Sequence, residues 1–520
     1  MNIITTIKKH FLILLAGISM FATSCDFLDV VPVEKPSLID ATKDAEATLG
    51  FLYSTYAGVY NPVQYEMTEN SVDEFAMPDS WYHNARTMAF NRMVPSNADT
   101  RWTTYYRYIG QAHLFIRELK KARGVSEEQA ILWEAEAKFM IAYYHFELLR
   151  FYGPCPILDR YIEMDEVKIE EISGRYHYDY VTDWIVNQID EVTPQLPNVR
   201  SEDEWGRATK LIAKSIKAKA LLYAASPLWN GQFYDATWAN TSFETPGYGK
   251  ELVSRTFQKE KWERAYTACK EAIDLANELN FKLYDDLELY SRETVKLPYV
   301  PGREANTTEN TNFKKRVLMM RYLVTTYVSE GNKELIWGVF PKEANEKLGP
   351  KLPDNIENTS IPIRTLKLNN GNWYNGWGGM APFLNAIERY YTDNGKLPKY
   401  DSEFTDPLNW LKSANVPNDA NDRSGIINLN VGREPRFYAW VGFAGGDHTS
   451  KFAAGSPIYL ELRNGSKHGY DPIDYQRYFS ETGYLNQKFI RPNLSLSLSN
   501  SWNRKSTPRP LIRLAELILN

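Results

Sequence analysis

Cysteine is scarce. The 520 residues hold three, Cys25, Cys155 and Cys269, too few to argue a disulfide framework. If Cys25 has another use, a single Cys155–Cys269 bridge is possible, but Cys269 falls on a helical face and reads better as a buried free thiol. An excess of one charge is also lacking. Sixty Lys and Arg against 65 Asp and Glu leave a net charge of −5, so no basic surface dominates and the balance argues against nucleic acid as a partner. Long apolar runs are missing beyond the first 25 residues. The histidines lack the HExxH or similar spacing of metal ligands, and no G-x-S-x-G, P-loop or dinucleotide fingerprint occurs. No catalytic machinery and no cofactor are implied. Asp73 and Glu74 form an acidic pair of the kind glycosidases use, but adjacent charges on a surface loop are far commoner and nothing else supports an active site.

One apolar run is present, Phe11 to Ala22, behind Lys8 and Lys9. It is shorter than the roughly 20 residues that cross a bilayer and has the build of a secretory signal, basic then apolar then small. Residues 1–24 are therefore expected to be a signal peptide. Cleavage after Ser24 would leave Cys25 first, as in bacterial lipoproteins, although Ala22 loosens the usual Leu-Ala-Gly-Cys box. Several acyl chains, at about 0.8 kcal/mol per buried CH₂, would hold such a protein firmly on a membrane. The plain alternative is a signal cut further on, with Cys25 incidental.

Aromatic residues are abundant, with 14 Trp, 34 Tyr and 23 Phe. They can fill a core or offer stacking surfaces to sugars and other flat ligands. Residues 25–285 read as helices. Ser126 and Gln129 suit a capping box, and the run from Ile131 to Phe151 keeps a broad apolar face that Gly153 and Pro154 end. Tyr178, Val181, Trp184, Ile185, Ile189 and Val192 keep helical spacing. Leu211, Ile212, Ser215, Ile216, Lys219 and Leu222 line one side of the next helix. Ala265, Ala268, Ala272 and Ala276 form a small-residue stripe on another, which lets a neighbour approach closely. Helices of about 15–25 residues joined by Pro/Gly turns resemble tetratricopeptide pairs, without the strict consensus. His113, His145 and His177 are spaced every 32 residues, but their flanks do not align, so this is coincidence rather than a repeat. Trp102, Tyr105, Trp133, Trp184, Trp205 and Trp262 are read as helical, structural residues.

Residues 286–520 look different. Pro and Gly thicken, Asn-Gly pairs at 370–371, 375–376 and 394–395 mark turns, and short runs such as "RVLMMRYLVTTYV", "ELIWGVF" and "FYAWVGF" read as strands. The last stretch, "RPLIRLAELILN", starts a helix with Leu511, Leu514, Ala515, Ile518 and Leu519 on its apolar face, and it stops incomplete. The expected fold is mostly α: a tetratricopeptide-like array with a loop-rich, partly β second region.

Six segments, in order, carry a specific resemblance: "SCDFLDVVP", "RWTTYYRYIGQAHLFI", "EAEAKFMIAYYHFELLRFYGPCPI", "GRATKLIAKSIKAKALLYAASPLWN", "EPRFYAWVGFAG" and "RPLIRLAELILN". Together they resemble the SusD/RagB family of nutrient-binding outer-membrane lipoproteins. His113 stands where Asn is usual and Glu434 where Asp is usual. The final helix ends before the family's Tyr-Ala-Glu-Ala, as if truncated. The resemblance implies a lipid-anchored protein on the cell surface of Bacteroidetes-type bacteria. It would act as a lid on a SusC-like TonB-dependent outer-membrane transporter, capturing glycans (peptides in RagB-like members) and performing no chemistry.

The family has no fixed binding motif, so candidates rest on chemistry. Rings stack on sugars, while amides and arginines hold hydroxyls. "DSWYHNARTMAF" offers Trp81, Tyr82, His83, Asn84 and Arg86. "NNGNWYNGWGGM" offers Trp373, Tyr374, Asn375 and Trp377 among glycines, where a ring has little core to enter. The competing reading is that these rings only pin long loops to the scaffold. For the whole protein, a non-nutrient helical-repeat scaffold competes with nutrient capture.

Overall fold

The computed structural model describes residues 38–59, 74–78, 87, 90–92, 94, 101–163, 174–340, 355–419, 421–452, 456–470 and 478–520. Cys25 and the signal segment lie outside the described residues.

The first half is a stack of antiparallel helices: α1 (Ala45–Tyr56), α2 (Arg101–Leu119), α3 (Glu127–Tyr152), α4 (Tyr178–Val192), α5 (Lys210–Ala225) and α6 (Lys259–Glu278). Local chemistry sets their ends. Ser126 and Gln129 form the reciprocal capping box at the start of α3, satisfying two backbone donors that the first turn leaves orphaned. Gly153 stops α3 at φ 70°, a conformation glycine takes without a Cβ penalty. The small-residue stripe of α6 is buried at Ala265, Ala268, Ala272 and Ala276 and lies on α5. Cys155 and Cys269 are both free and buried. Burial pushes the Cys155 thiol up to about 12.

Two of the regularly spaced histidines share one task. His113 Nε2 donates to the Leu158 carbonyl at 3.0 Å, and His145 Nε2 accepts from the Leu158 amide at 3.0 Å. They clamp the chain that leaves α3. Of the six aromatics read as structural, Tyr105 and Trp133 are buried, and Trp102 and Trp184 pack on the main core. Trp205 is not helical; it closes a 3-10 turn (Glu202–Glu204). Trp262 is on α6 but 40% exposed.

The second half is loop-rich, with short strands and a few helices. The stretch "RVLMMRYL" corrects the sequence reading: it lies inside helix α7 (Thr308–Leu323), capped by Thr307 Oγ1 accepting from the Asn310 amide. Apolar residues four apart, Phe313 with Val317 and Leu318 with Tyr322, are buried in two neighbouring clusters, and that spacing overrides the β preference of the run. "ELIWGVF" does form a strand, β1 (Leu335–Val339). "FYAWVGF" divides into a one-turn helix (Pro435–Trp440) and a strand (Val441–Phe443). "RPLIRLAELILN" also divides. Arg509–Arg513 pairs antiparallel with β1, and the helix begins only at Leu514, burying Leu514 and Leu517 while Ile518 and Leu519 stay exposed.

The main core draws on both halves. Ile336, Trp337, Ile512, Leu514 and Leu517 join the helices' apolar faces. Trp337 is 1% exposed, stands edge-on to Tyr143 and Phe139 at 5.0 and 6.1 Å, and donates from Nε1 to the Gly206 carbonyl at 2.9 Å. Beside it the buried Glu136 carboxylate accepts from Arg200, Arg207 and Tyr56 at 2.6–3.1 Å. This network ties α1, α3 and the segment entering α5 together.

Candidate functional site

The first predicted cluster, Trp81, Tyr82, His83, Asn84 and Arg86, lies outside the described residues. The second is well placed. Strands β2 (Leu366–Lys367) and β3 (Trp373–Tyr374) form a two-stranded hairpin with Lys367 opposite Trp373 and Leu366 opposite Tyr374. Its tip is the Asn370-Gly371 pair, with Gly371 at φ 83°. A second tie comes from the Asn369 amide, which donates to the Leu498 carbonyl at 2.9 Å.

Side chains alternate across a strand, and the two rings separate accordingly. Trp373 is 39% exposed, with the Lys467 ammonium 5.3 Å from its ring centre. Tyr374 turns inward, stands edge-on to Trp502 at 5.1 Å and donates from its hydroxyl to Asn358 Oδ1 at 2.8 Å. Burial raises its phenol above the ordinary value. Asn375 spends its Oδ1 on the Arg364 amide at 2.7 Å. Trp377 is half-buried, its amide bonded to the Asn358 carbonyl at 2.7 Å. Gly376 permits this close packing: a Cβ there would meet the Ile361 carbonyl oxygen at 2.0 Å. The hairpin thus holds Trp373 open to solvent on a backbone fixed at several points, while Tyr374 and Asn375 do the fixing. That geometry suits stacking and hydrogen bonding rather than proton transfer.

Next to Lys467 stands His468, 1% exposed, its Nδ1 accepting from the Glu461 amide at 3.1 Å. Burial lowers it to about 3. His448 is fully buried, neither ring nitrogen makes a hydrogen bond among the described residues, and burial with Arg321 nearby lowers it to about 3. Among the described residues no group of three or more His, Cys, Asp or Glu could hold a metal ion, and no helix is long and apolar enough to cross a membrane.

One aromatic cluster escaped the sequence reading. Trp205, Tyr327 and Phe340 meet with ring centres 4.9–5.3 Å apart, and Phe340 is 55% exposed. Two cavities, about 190 and 300 Å³, flank Trp205. The available signal was the one used for Trp373, a tryptophan in a polar stretch, "SEDEWGR", outside helical periodicity.

Two family models match the chain. One, described as the SusD family, covers residues 333–520. The other, described as "Starch-binding associating with outer membrane", covers residues 26–222. The solved structure of BT4246 is 46% identical with a TM-score of 0.83, over 92% of this chain and 78% of that one. The chain belongs to the SusD-like family. Its mostly helical, tetratricopeptide-like fold is the SusD-like one. A SusD-like protein of Bacteroides fragilis, BF3747, shares that fold at 19% identity and a TM-score of 0.60, over 92% of this chain and 75% of that chain. SusD-like protein P25 of Formosa agariphila is 27% identical over 124 residues, which span 24% of this chain and 23% of that relative.

Proposed function

We propose that this SusD-like protein is a surface lipoprotein, anchored through Cys25, that captures oligosaccharides and passes them to a SusC-like TonB-dependent transporter of the outer membrane. The single observation that carries the glycan reading is Trp373, a ring held open on a pinned hairpin, with half-buried Trp377 four residues on in the chain. Such a platform supports stacking on a pyranose, and a family model described as starch-binding and outer-membrane-associating agrees with it. In this reading Trp81, Tyr82, Asn84 and Arg86 are further candidate ligand contacts, and the protein performs no chemistry.

Calorimetric titration of the Cys25-free protein against a polysaccharide panel and a peptide panel tests the reading. Heat with at least one glycan, weakened roughly two- to tenfold by Trp373→Ala, is the expected result, that being the range of one aromatic contact. Heat with peptides alone would replace glycan by peptide capture. Binding to neither, with pull-down still recovering a barrel partner, would favour a scaffold. Labelling of the protein by radioactive palmitate is expected in the native host, and loss of the label in Cys25→Ala checks the anchor.

A further inference from the structure

The cleft at Trp205 is separate in sequence from both predicted clusters and is built of different parts. Trp205 closes its 3-10 turn half-buried, between the two cavities. In the smaller one, of about 190 Å³, Trp205 is joined by Asn198, Arg200, Arg207, Asn280 and Lys333. Among the described residues no Asp or Glu lines that cavity. Two of its three cations are already balanced from behind: Arg200 and Arg207 both bond Glu136 and Glu204. Lys333 makes no ion pair, and the side-chain amides of Asn198 and Asn280 make no hydrogen bond, among the described residues. Asn280 is held just past the end of α6 at φ 60°, a position where Asn or Gly is preferred; Asn adds an amide that Gly would not.

An indole wall, two free amides and one uncompensated ammonium amount to a recognition set. The ring offers an apolar face, the amides suit vicinal hydroxyls, and the ammonium suits an anion. The volume is below the about 300–1,000 Å³ of sites for drug-sized ligands, which fits one sugar ring rather than a chain. Resting on the glycan reading above, we propose that the Trp205 cleft is a second subsite, specific for a hexopyranose that carries an anionic group, carboxylate or sulfate. Lys333 pairs with the anion, and Asn198 and Asn280 hold the hydroxyls.

Three matched probes test this on the purified protein: methyl glucuronide, methyl glucoside 6-sulfate and methyl glucoside, compared by saturation-transfer NMR titration. At least one anionic probe is expected to bind roughly three- to tenfold tighter than the glucoside. Lys333→Gln, an exposed change, should erase that preference with an unchanged melting temperature. Asn280→Gly keeps the backbone conformation and should weaken all three probes. Trp373→Ala should leave the preference intact. The subsite is overturned if wild type shows no anionic preference or if the preference survives Lys333→Gln. If that happens while polysaccharide binding still falls with Trp373→Ala, glycan capture stands and only the subsite fails. If no sugar of any kind binds, both fail.

Discussion

Trp373 and Tyr374 are chain neighbours of similar chemistry, and a single strand step sends one to solvent and the other to the interior. Sequence reasoning grouped them because both stand among glycines and asparagines; the pairing with β2 that divides them was not visible in that composition. Their substitutions should divide too. Trp373→Ala is expected to shift stability by no more than about 0.5 kcal/mol, as surface changes do. Tyr374→Ala should cost about 2–4 kcal/mol through lost packing on Trp502 and an unpaired Asn358. Urea denaturation of the two variants checks the contrast.

Histidines supply a second prediction at this scale. His145, His448 and His468 are lowered to about 4, 3 and 3, in each case chiefly by burial. An unfolded histidine titrates near 6.5, so below that pH the unfolded chain binds protons that the folded chain refuses. The stability these rings contribute is whole above about pH 6.5 and drains as pH falls toward 3–4, by up to about 1.4 kcal/mol per pH unit for each ring. Urea midpoints should hold steady from pH 8 to 7 and drop between 6.5 and 5, before most carboxylates titrate. His448→Leu should flatten part of that slope, since burial is the main cause of the lowered value.

Elements whose stabilising contacts are local were the legible ones. The capping box at Ser126, the stop at Gly153 and the alanine stripe of α6 depend on residues within a few positions, and each stands as read. Ser126→Ala should therefore cost about 1 kcal/mol. Ala272→Leu should cost about 1–3 kcal/mol by forcing α6 away from α5. Thermal melts of both variants measure this. The α7 segment failed for the opposite reason. Its start, at Thr307, lies in a polar stretch without apolar spacing, and without that start "RVLMMRYL" looks like a strand. The pairing of β1 with Arg509–Arg513 has partners far apart in the chain, so no window of sequence contains it.

At the scale of the whole molecule, the family was readable because six weak segments in one order are jointly specific, although none of them marks a ligand site. Sites proved harder because exposure is a tertiary property: Trp205, assigned to a helix, instead stands between two cavities. The Glu136 network also belongs here, since it joins segments from Tyr56 to Arg207. Glu136→Ala should cost about 3 kcal/mol, the lower end for breaking a buried ion pair, because Arg200 and Arg207 would keep only Glu204 as a counter-charge among the described residues, and calorimetric melting should show the whole helical half lowered together.

Trp337 carries one more consequence. A fragment stopping near residue 285 would leave an indole-shaped hole in the helical stack, lined by Tyr143 and Phe139 and missing its lock on the Gly206 carbonyl. Such a truncate is expected to clump when expressed alone, and to regain solubility when a peptide spanning Glu334–Val339 is supplied in trans.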